Sequence, residues 1–238
     1  MSKNTHNLRE SIETILYKSI DSSPELVSRF FKTSPSDYAE FEQFLGITTP
    51  TLRKIAKQYI GLPLAVIEEL LQSKFNEERL FALIILVSQY KKMDSLAKED
   101  IYQFYLNNIN QINNWNLVDI SAHHIIGCHL WSRDRSVLLK LAQSSSMWKK
   151  RISIVATWYF IKRQDFKYTI NIVSMLMTDK HDLIHKACGW MLREVGKQNI
   201  GTLKKFLNLY KTQMPRTMLR YAIEKFPKPI RKQYLLSN

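Results

Sequence analysis

Cysteine, glycine and proline are all scarce, at two, six and seven residues in 238. The two cysteines, Cys128 and Cys188, form no Cys-x-x-Cys pair. A disulfide framework and a zinc knuckle are therefore excluded, and both thiols are expected free and buried in apolar helical patterns. The glycines and prolines fall mostly between long amphipathic runs, which is how an all-helical chain is punctuated. Long apolar runs are missing too. The stretch 152–161 is too short to cross a bilayer, and the opening Met-Ser-Lys-Asn-Thr-His has no secretory apolar region, so the expected location is the cytosol. Acidic residues are in deficit as well, with 21 Asp and Glu against 35 Lys and Arg, a formal charge of +14. Such a surface attracts polyanions, and either nucleic acid or an anionic membrane would satisfy it.

What is present is helical periodicity, over 8–19, 24–32, 36–44, 50–59, 63–72, 76–90 and 97–108. It continues over 114–130, 134–143, 148–162, 166–177, 181–197, 202–210 and 215–225, and no alternating strand pattern competes. Several of these runs begin at or after Pro, Ser, Asn or Asp, which preset the first turn or satisfy its free N–H groups. Pairs recur at roughly 30 to 40 residues, the period of stacked helical hairpins of the HEAT kind. No Gly, Ser or Pro-rich linker divides the chain. The expected fold is thus all-α, a right-handed α-solenoid of HEAT-like antiparallel helix pairs forming a single domain over 1–238, with a basic concave face for binding.

The run 181–197 separates into two faces at about 100° per residue. Ile184, Ala187, Cys188, Met191 and Val195 make an apolar stripe, while Lys186, Trp190, Arg193 and Lys197 lie nearly opposite. A tryptophan among three cations fits a phosphate-binding face with an aromatic platform, although packing against a neighbouring hairpin would also place it there. A second cluster is Asn113-Asn114-Trp115-Asn116-Leu117-Val118-Asp119, where Trp115 and Asp119 share one helical face and either asparagine can cap the helix. Taken alone, Asp119 is equally an ordinary acidic residue near a helix start. Trp148-Lys149-Lys150-Arg151 opens a run that is apolar on almost every side, so that run should be deeply buried and Arg151 should emerge at its start, facing a phosphate or solvent. Around Arg216, Arg220, Lys225, Lys228, Arg231 and Lys232 lies a further basic patch opposed only by Glu224, which could equally be a solubilising end. His181 and His185 have the i, i+4 spacing of a metalloprotease helix, yet Asp182 replaces the usual Glu and no third ligand is evident, so metal binding is not expected. His123, His124 and His129 are read as structural.

Together these segments resemble the AlkD family of DNA alkylation repair glycosylases over most of the chain. The runs Trp115-Asn116-Leu117-Val118-Asp119, Lys150-Arg151-Ile152-Ser153-Ile154-Val155 and Gly189-Trp190-Met191-Leu192-Arg193-Glu194 are similar to its signature segments, in order and at the expected separation. The stretch from Met214 to Phe226 is similar to a C-terminal signature of one bacterial branch. Phe44-Leu45-Gly46-Ile47, followed by Thr49, Pro50 and Arg53, looks like its N-terminal DNA-contacting turn. Thr48 stands where the better-known branch carries a polar DNA-contacting Gln, and Asn116 where Asp is usual.

The resemblance implies a catalytic carboxylate at Asp119, aromatic walls at Trp115 and Trp190, and DNA-gripping cations at Arg151 and Arg193. With them go Arg53 at the N-terminal turn and Lys186 and Lys197 on the cationic helix face. It further implies hydrolysis of the N-glycosidic bond of cationic N3- or N7-alkylpurines in duplex DNA, with the lesion left in the duplex rather than flipped. No lysine is identified as a Schiff-base nucleophile, so a glycosylase without lyase activity is expected, monomeric, off the membrane and requiring no metal or organic cofactor. A non-catalytic HEAT-like protein binding duplex or branched DNA is the main rival reading, and a protein-interaction scaffold is the second.

Overall fold

The computed structural model describes residues 3–236, and for residues 3–6 the backbone alone. Its described residues are all-α, as expected, with a single isolated bridge between Gln43 and Phe75. Among the described residues no helix is long and apolar enough to cross a membrane. The chain divides into two compact units, one ending at Ser121 and the other beginning at Ala122.

The first unit comprises α1 (Lys3–Lys18), α2 (Pro24–Ser28), α3 (Thr49–Ala56), α4 (Leu64–Leu71), α5 (Asn76–Lys92), α6 (Ser95–Asn107) and α7 (Trp115–Ser121). Its centre is α5, which is buried on nearly every side from Asn76 to Tyr90 and is packed by α3, α4 and α7. The buried start of α5 is acidic, which suits the positive end of the helix dipole but demands partners for each carboxylate. Glu78 takes Arg9 at 2.5 Å. Glu77 accepts the backbone N–H groups of Leu45, Gly46 and Ile47 at 3.0, 2.9 and 3.3 Å. Next to them Arg79 pairs with Glu42 and donates to the Ser73 carbonyl at 2.6 Å. Gly46 makes the three-amide cradle possible: its φ is +91°, and a Cβ there would lie 2.5 Å from the Ser22 carbonyl oxygen.

The second unit comprises α8 (Ser136–Ala142), α9 (Met147–Ala156), α10 (Trp158–Ile161), α11 (Lys167–Leu176), α12 (Asp182–Gln198), α13 (Ile200–Tyr210), α14 (Arg216–Ala222) and α15 (Lys228–Leu236). Here α12 is the centre, packed by α9, α10, α11, α13 and α14. Its predicted stripe of Ile184, Ala187, Cys188, Met191 and Val195 is wholly buried. Both cysteines are free, but only Cys188 is buried, Cys128 being half-exposed.

Four helix expectations are corrected. The segment 36–44 is a series of turns: Ser36 has φ +68° with its N–H on Glu40, and the Ala39 N–H closes onto the Lys32 carbonyl. The run 24–32 is helical only over Pro24–Ser28. The run 114–130 breaks after Ser121 into a wider π-type turn, His123–Gly127, closed by the Gly127 N–H on the Ala122 carbonyl at 3.0 Å. Gly127 packs so tightly on the end of α9 that a Cβ would sit 2.2 Å from the Ala156 carbonyl oxygen. The run 148–162 divides at Thr157, whose hydroxyl bonds the Ile154 carbonyl at 2.7 Å, and Trp158 and Tyr159 are half-exposed rather than deep. The helix α15 has no counterpart in the sequence periodicity.

Candidate functional site

In the first unit the site is built from Asn114, which is fully buried just ahead of α7. Its Oδ1 accepts the Trp115 N–H at 2.8 Å, its carbonyl accepts the Val118 N–H, and its Nδ2 donates to Glu42 at 2.6 Å. This asparagine is therefore the one that starts the helix. With the start fixed, Leu117, Val118 and Ser121 turn into the core, and Trp115 and Asp119, one turn apart, share the half-buried side. Asp119 is neither sealed inside nor fully in water. Behind it, the Tyr105 hydroxyl is buried 2.9 Å from Ser121 Oγ. Burial above all pushes the Tyr105 phenol far above its ordinary range; the Ser121 hydrogen bond opposes this and the charge of Asp119 reinforces it.

The Trp115 indole stacks on Phe31 at 5.2 Å and 26°, and Phe31 in turn meets Phe44 at 4.8 Å. Both stacked rings line an open cavity of about 570 Å³, floored by Ile47 and Leu80. Asn116, where the resembled family carries Asp, serves as an amide tie: its Nδ2 donates to Asn76 Oδ1 at 2.6 Å, joining α7 to the start of α5.

The N-terminal turn is held by internal hydrogen bonds. Its amides at 45–47 are already taken by Glu77. At the start of α3, Asp21 accepts the Thr48 N–H and hydroxyl at 2.8 Å each and the Thr51 hydroxyl at 2.5 Å. Slight burial of Asp21 works to raise its pKa, but the hydrogen bonds from Thr51 and Thr48 outweigh it and hold the carboxyl below its usual range. The backbone amides and hydroxyls of this turn are thus already bonded by the protein's own carboxylates. What this segment presents outward is the exposed Arg53, with Lys54 and Lys57.

In the second unit, Lys186, Trp190 and Arg193 are half-buried and Lys197 exposed, along the face of α12 opposite its core stripe. Trp190 is not alone. It meets Trp158 of α10 edge to face at 5.2 Å and 60°, Lys162 Nζ lies 4.2 Å over the Trp158 ring, and the His123 ring is 4.6 Å away. The signal that could have singled out Trp158 is its i, i+4 spacing to Lys162, a cation–π geometry on one helical face.

The cations of α12 are mostly balanced locally. Lys186 bonds Asp182 at 2.7 Å, Lys197 bonds Glu194 at 2.7 Å, and Arg193 pairs with Glu224. Arg151 does not emerge at the start of α9: it is 5% exposed, and its Nη1 donates to the Leu183 carbonyl at 2.7 Å, tying α9 to the first turn of α12. Next to it Lys150 bonds Asp179 at 2.6 Å. Burial works to raise the Asp179 pKa, but Lys150 and the His181 amide more than offset it and hold the carboxyl below its ordinary value. The His185 ring reaches the Asp179 carbonyl at 2.5 Å, which engages the second histidine of the metalloprotease-like spacing. Among the described residues no three His, Cys, Asp or Glu side chains gather where they could hold a metal ion.

Comparison with known proteins bears on both units. A solved structure described as a predicted DNA alkylation repair enzyme from Enterococcus faecalis superimposes with a TM-score of 0.65 at 15% identity, covering 86% of this chain and 95% of that one. At that identity the likeness speaks for the fold. No curated protein matches the sequence. The model of the family described as DNA alkylation repair enzyme matches residues 22–226, nearly the whole described chain. By that match the chain belongs to the DNA alkylation repair enzyme family, and its work is DNA repair.

Proposed function

We propose that this family member is a monofunctional glycosylase that hydrolyses the N-glycosidic bond of N3- or N7-alkylated purines in duplex DNA, acting as a monomer and without flipping the base. The observation that carries this reading is the pairing on α7 of a half-buried carboxylate, Asp119, with an indole, Trp115, one turn away. Alkylation at N3 or N7 leaves the purine positively charged, and so a good leaving group. As C1′–N9 breaks, the electron pair departs with the purine and neutralises it, while positive charge develops on the deoxyribose. A partly desolvated carboxylate beside that sugar stabilises the developing oxocarbenium ion and orients the water that adds to C1′, the proton passing to the carboxylate or to solvent.

Trp115 offers an electron-rich face to the cationic lesion or to sugar C–H groups, and Trp190, held by Trp158, offers another on the second unit. Arg53, Lys186, Arg193 and Lys197 are assigned to DNA phosphates. Exposed ion pairs are worth about 0–1 kcal/mol, so a phosphate can displace Asp182 from Lys186 at little cost. The buried Arg151 is assigned to positioning α12 on the DNA-facing side of its own unit. Because hydrolysis uses no amine nucleophile, the scheme stops at an abasic site and calls on no metal or organic cofactor.

Release of N7-methylguanine from a methylated duplex tests the reading. Asp119→Asn should lower release about 100-fold or more while duplex binding persists. Equal release by Asp119→Asn and the unaltered protein would remove Asp119 from catalysis. DNA binding with no release by the unaltered protein would return the non-catalytic reading.

A further inference from the structure

At the end of the second unit, α14 and α15 enclose a groove of about 380 Å³ that belongs to none of the features above. Four cationic residues line it, Arg216, Lys228, Arg231 and Lys232, together with Leu235 and Leu236, and the surface they turn into it is mostly apolar. Among the described residues no carboxylate lines it. The local sequence explains the deficit: from 211 to 238 there are seven Lys and Arg and a single acidic residue, Glu224, which is committed to Arg193 and Lys225.

The grouping works against like-charge repulsion. Lys228 and Lys232 stand at i, i+4 on α15, a spacing that destabilises a helix when both charges have the same sign. Arg216 Nη1 donates to the Leu235 carbonyl at 3.2 Å, so the cationic start of α14 is tied to the last turn of α15. The Arg231 Nε is buried without a hydrogen-bond partner. Elsewhere in this unit cations meet carboxylates, as in Lys150 with Asp179 and Arg135 with Asp165. A cluster of cations with no carboxylate among its described lining residues is what a polyanion would relieve.

We propose that this groove is a second, sequence-independent contact for the phosphate backbone of duplex DNA, separate from the groups assigned to the lesion. The choice of DNA rests on the DNA repair role of the family and on the reading above. The groove reads no bases, so it holds unmodified and alkylated duplex alike and contributes through counterion release.

The test is the salt dependence of binding to an unmodified duplex, measured by fluorescence anisotropy between 50 and 200 mM salt for the full chain. Each lost phosphate contact removes about 0.9 from the slope of log K against log salt. Lys228→Gln with Lys232→Gln, both exposed and so harmless to folding, should lower the slope by about 1.8, and adding Arg231→Gln by about 2.7. An unchanged slope in the double variant overturns the proposal. So does a loss of binding to phosphatidylserine vesicles without any change on DNA, which would assign the groove to a membrane. Binding of unmodified duplex does not depend on base release. A protein that releases no base therefore sinks the glycosylase reading and leaves this test standing.

Discussion

The two units carry opposite charge. The unit ending at Ser121 has 13 Lys and Arg against 15 Asp and Glu, a net of −2, whereas the unit beginning at Ala122 has 22 against 6, a net of +16. The bulk excess of positive charge therefore belongs entirely to the second unit. They also spend their acids differently. The first unit buries Glu77 and Glu78 at 2% exposure each, fastening turns and helices to the start of α5. In the second unit the few acids sit mostly beside surface cations, and the end of the chain runs out of them. A carboxylate used inside as an acceptor is not set beside the surface cations, and the positive face is decided by placement as much as by count.

Four changes sharpen or break this comparison, the largest effect first. Glu77→Ala should cost about 4 kcal/mol, because three buried amides lose their acceptor together. Urea denaturation measures it, and a cost under about 1 kcal/mol would show that the 45–47 amides rebond elsewhere and that the buried acid is not the fastening. In the second unit, Trp190→Leu should lower release of N7-methylguanine about tenfold, the size of one desolvated cation–π contact. Trp158→Leu should lower it about threefold by freeing Trp190 from its edge-to-face neighbour. If only the Trp158 change lowers stability and neither changes release, the pair is packing and the aromatic role rests with Trp115.

The remaining effect is electrostatic. Asp179 has a folded-state pKa below its ordinary 3.8, so its pairing with Lys150 adds stability that is fully present above 3.8 and is lost as pH falls through the lower folded value. Asp179→Asn should cost about 1 kcal/mol at pH 7 and nothing once the acid is protonated in both states. A cost that persists unchanged to pH 2 would mean that the lost contact is not the charge.

Part of this was legible. The stripe from Ile184 to Val195 is periodic, and Asn114 is a residue type that starts helices, so α12 and the start of α7 follow from spacing and local chemistry. The breaks at Ser121 and Thr157 do not, because each flanking run keeps its apolar period. What interrupts them is the close approach of Gly127 to Ala156, a contact between residues far apart in sequence. The turns over 36–44 escape for a related reason: their apolar spacing is helical, but Ser36 adopts a left-handed conformation held by Glu40. Trp158 looked like core in an apolar helix until its neighbours Trp190, Lys162 and His123 were fixed in space.

Sequence alone determined the all-helical class, the positive field and the sharing of one helical face by Trp115 and Asp119, since composition and a 3.6-residue period are local properties. Tertiary structure decided which charges remain available. Glu77 and Asp21 take up the donors of the N-terminal turn, Arg151 is turned inward to Leu183, and the groove of α14 and α15 gathers cations with no acid lining it among the described residues. Partners for charges are chosen by proximity in the folded chain, where burial makes an unpaired one costly, and no spacing along the sequence encodes that choice.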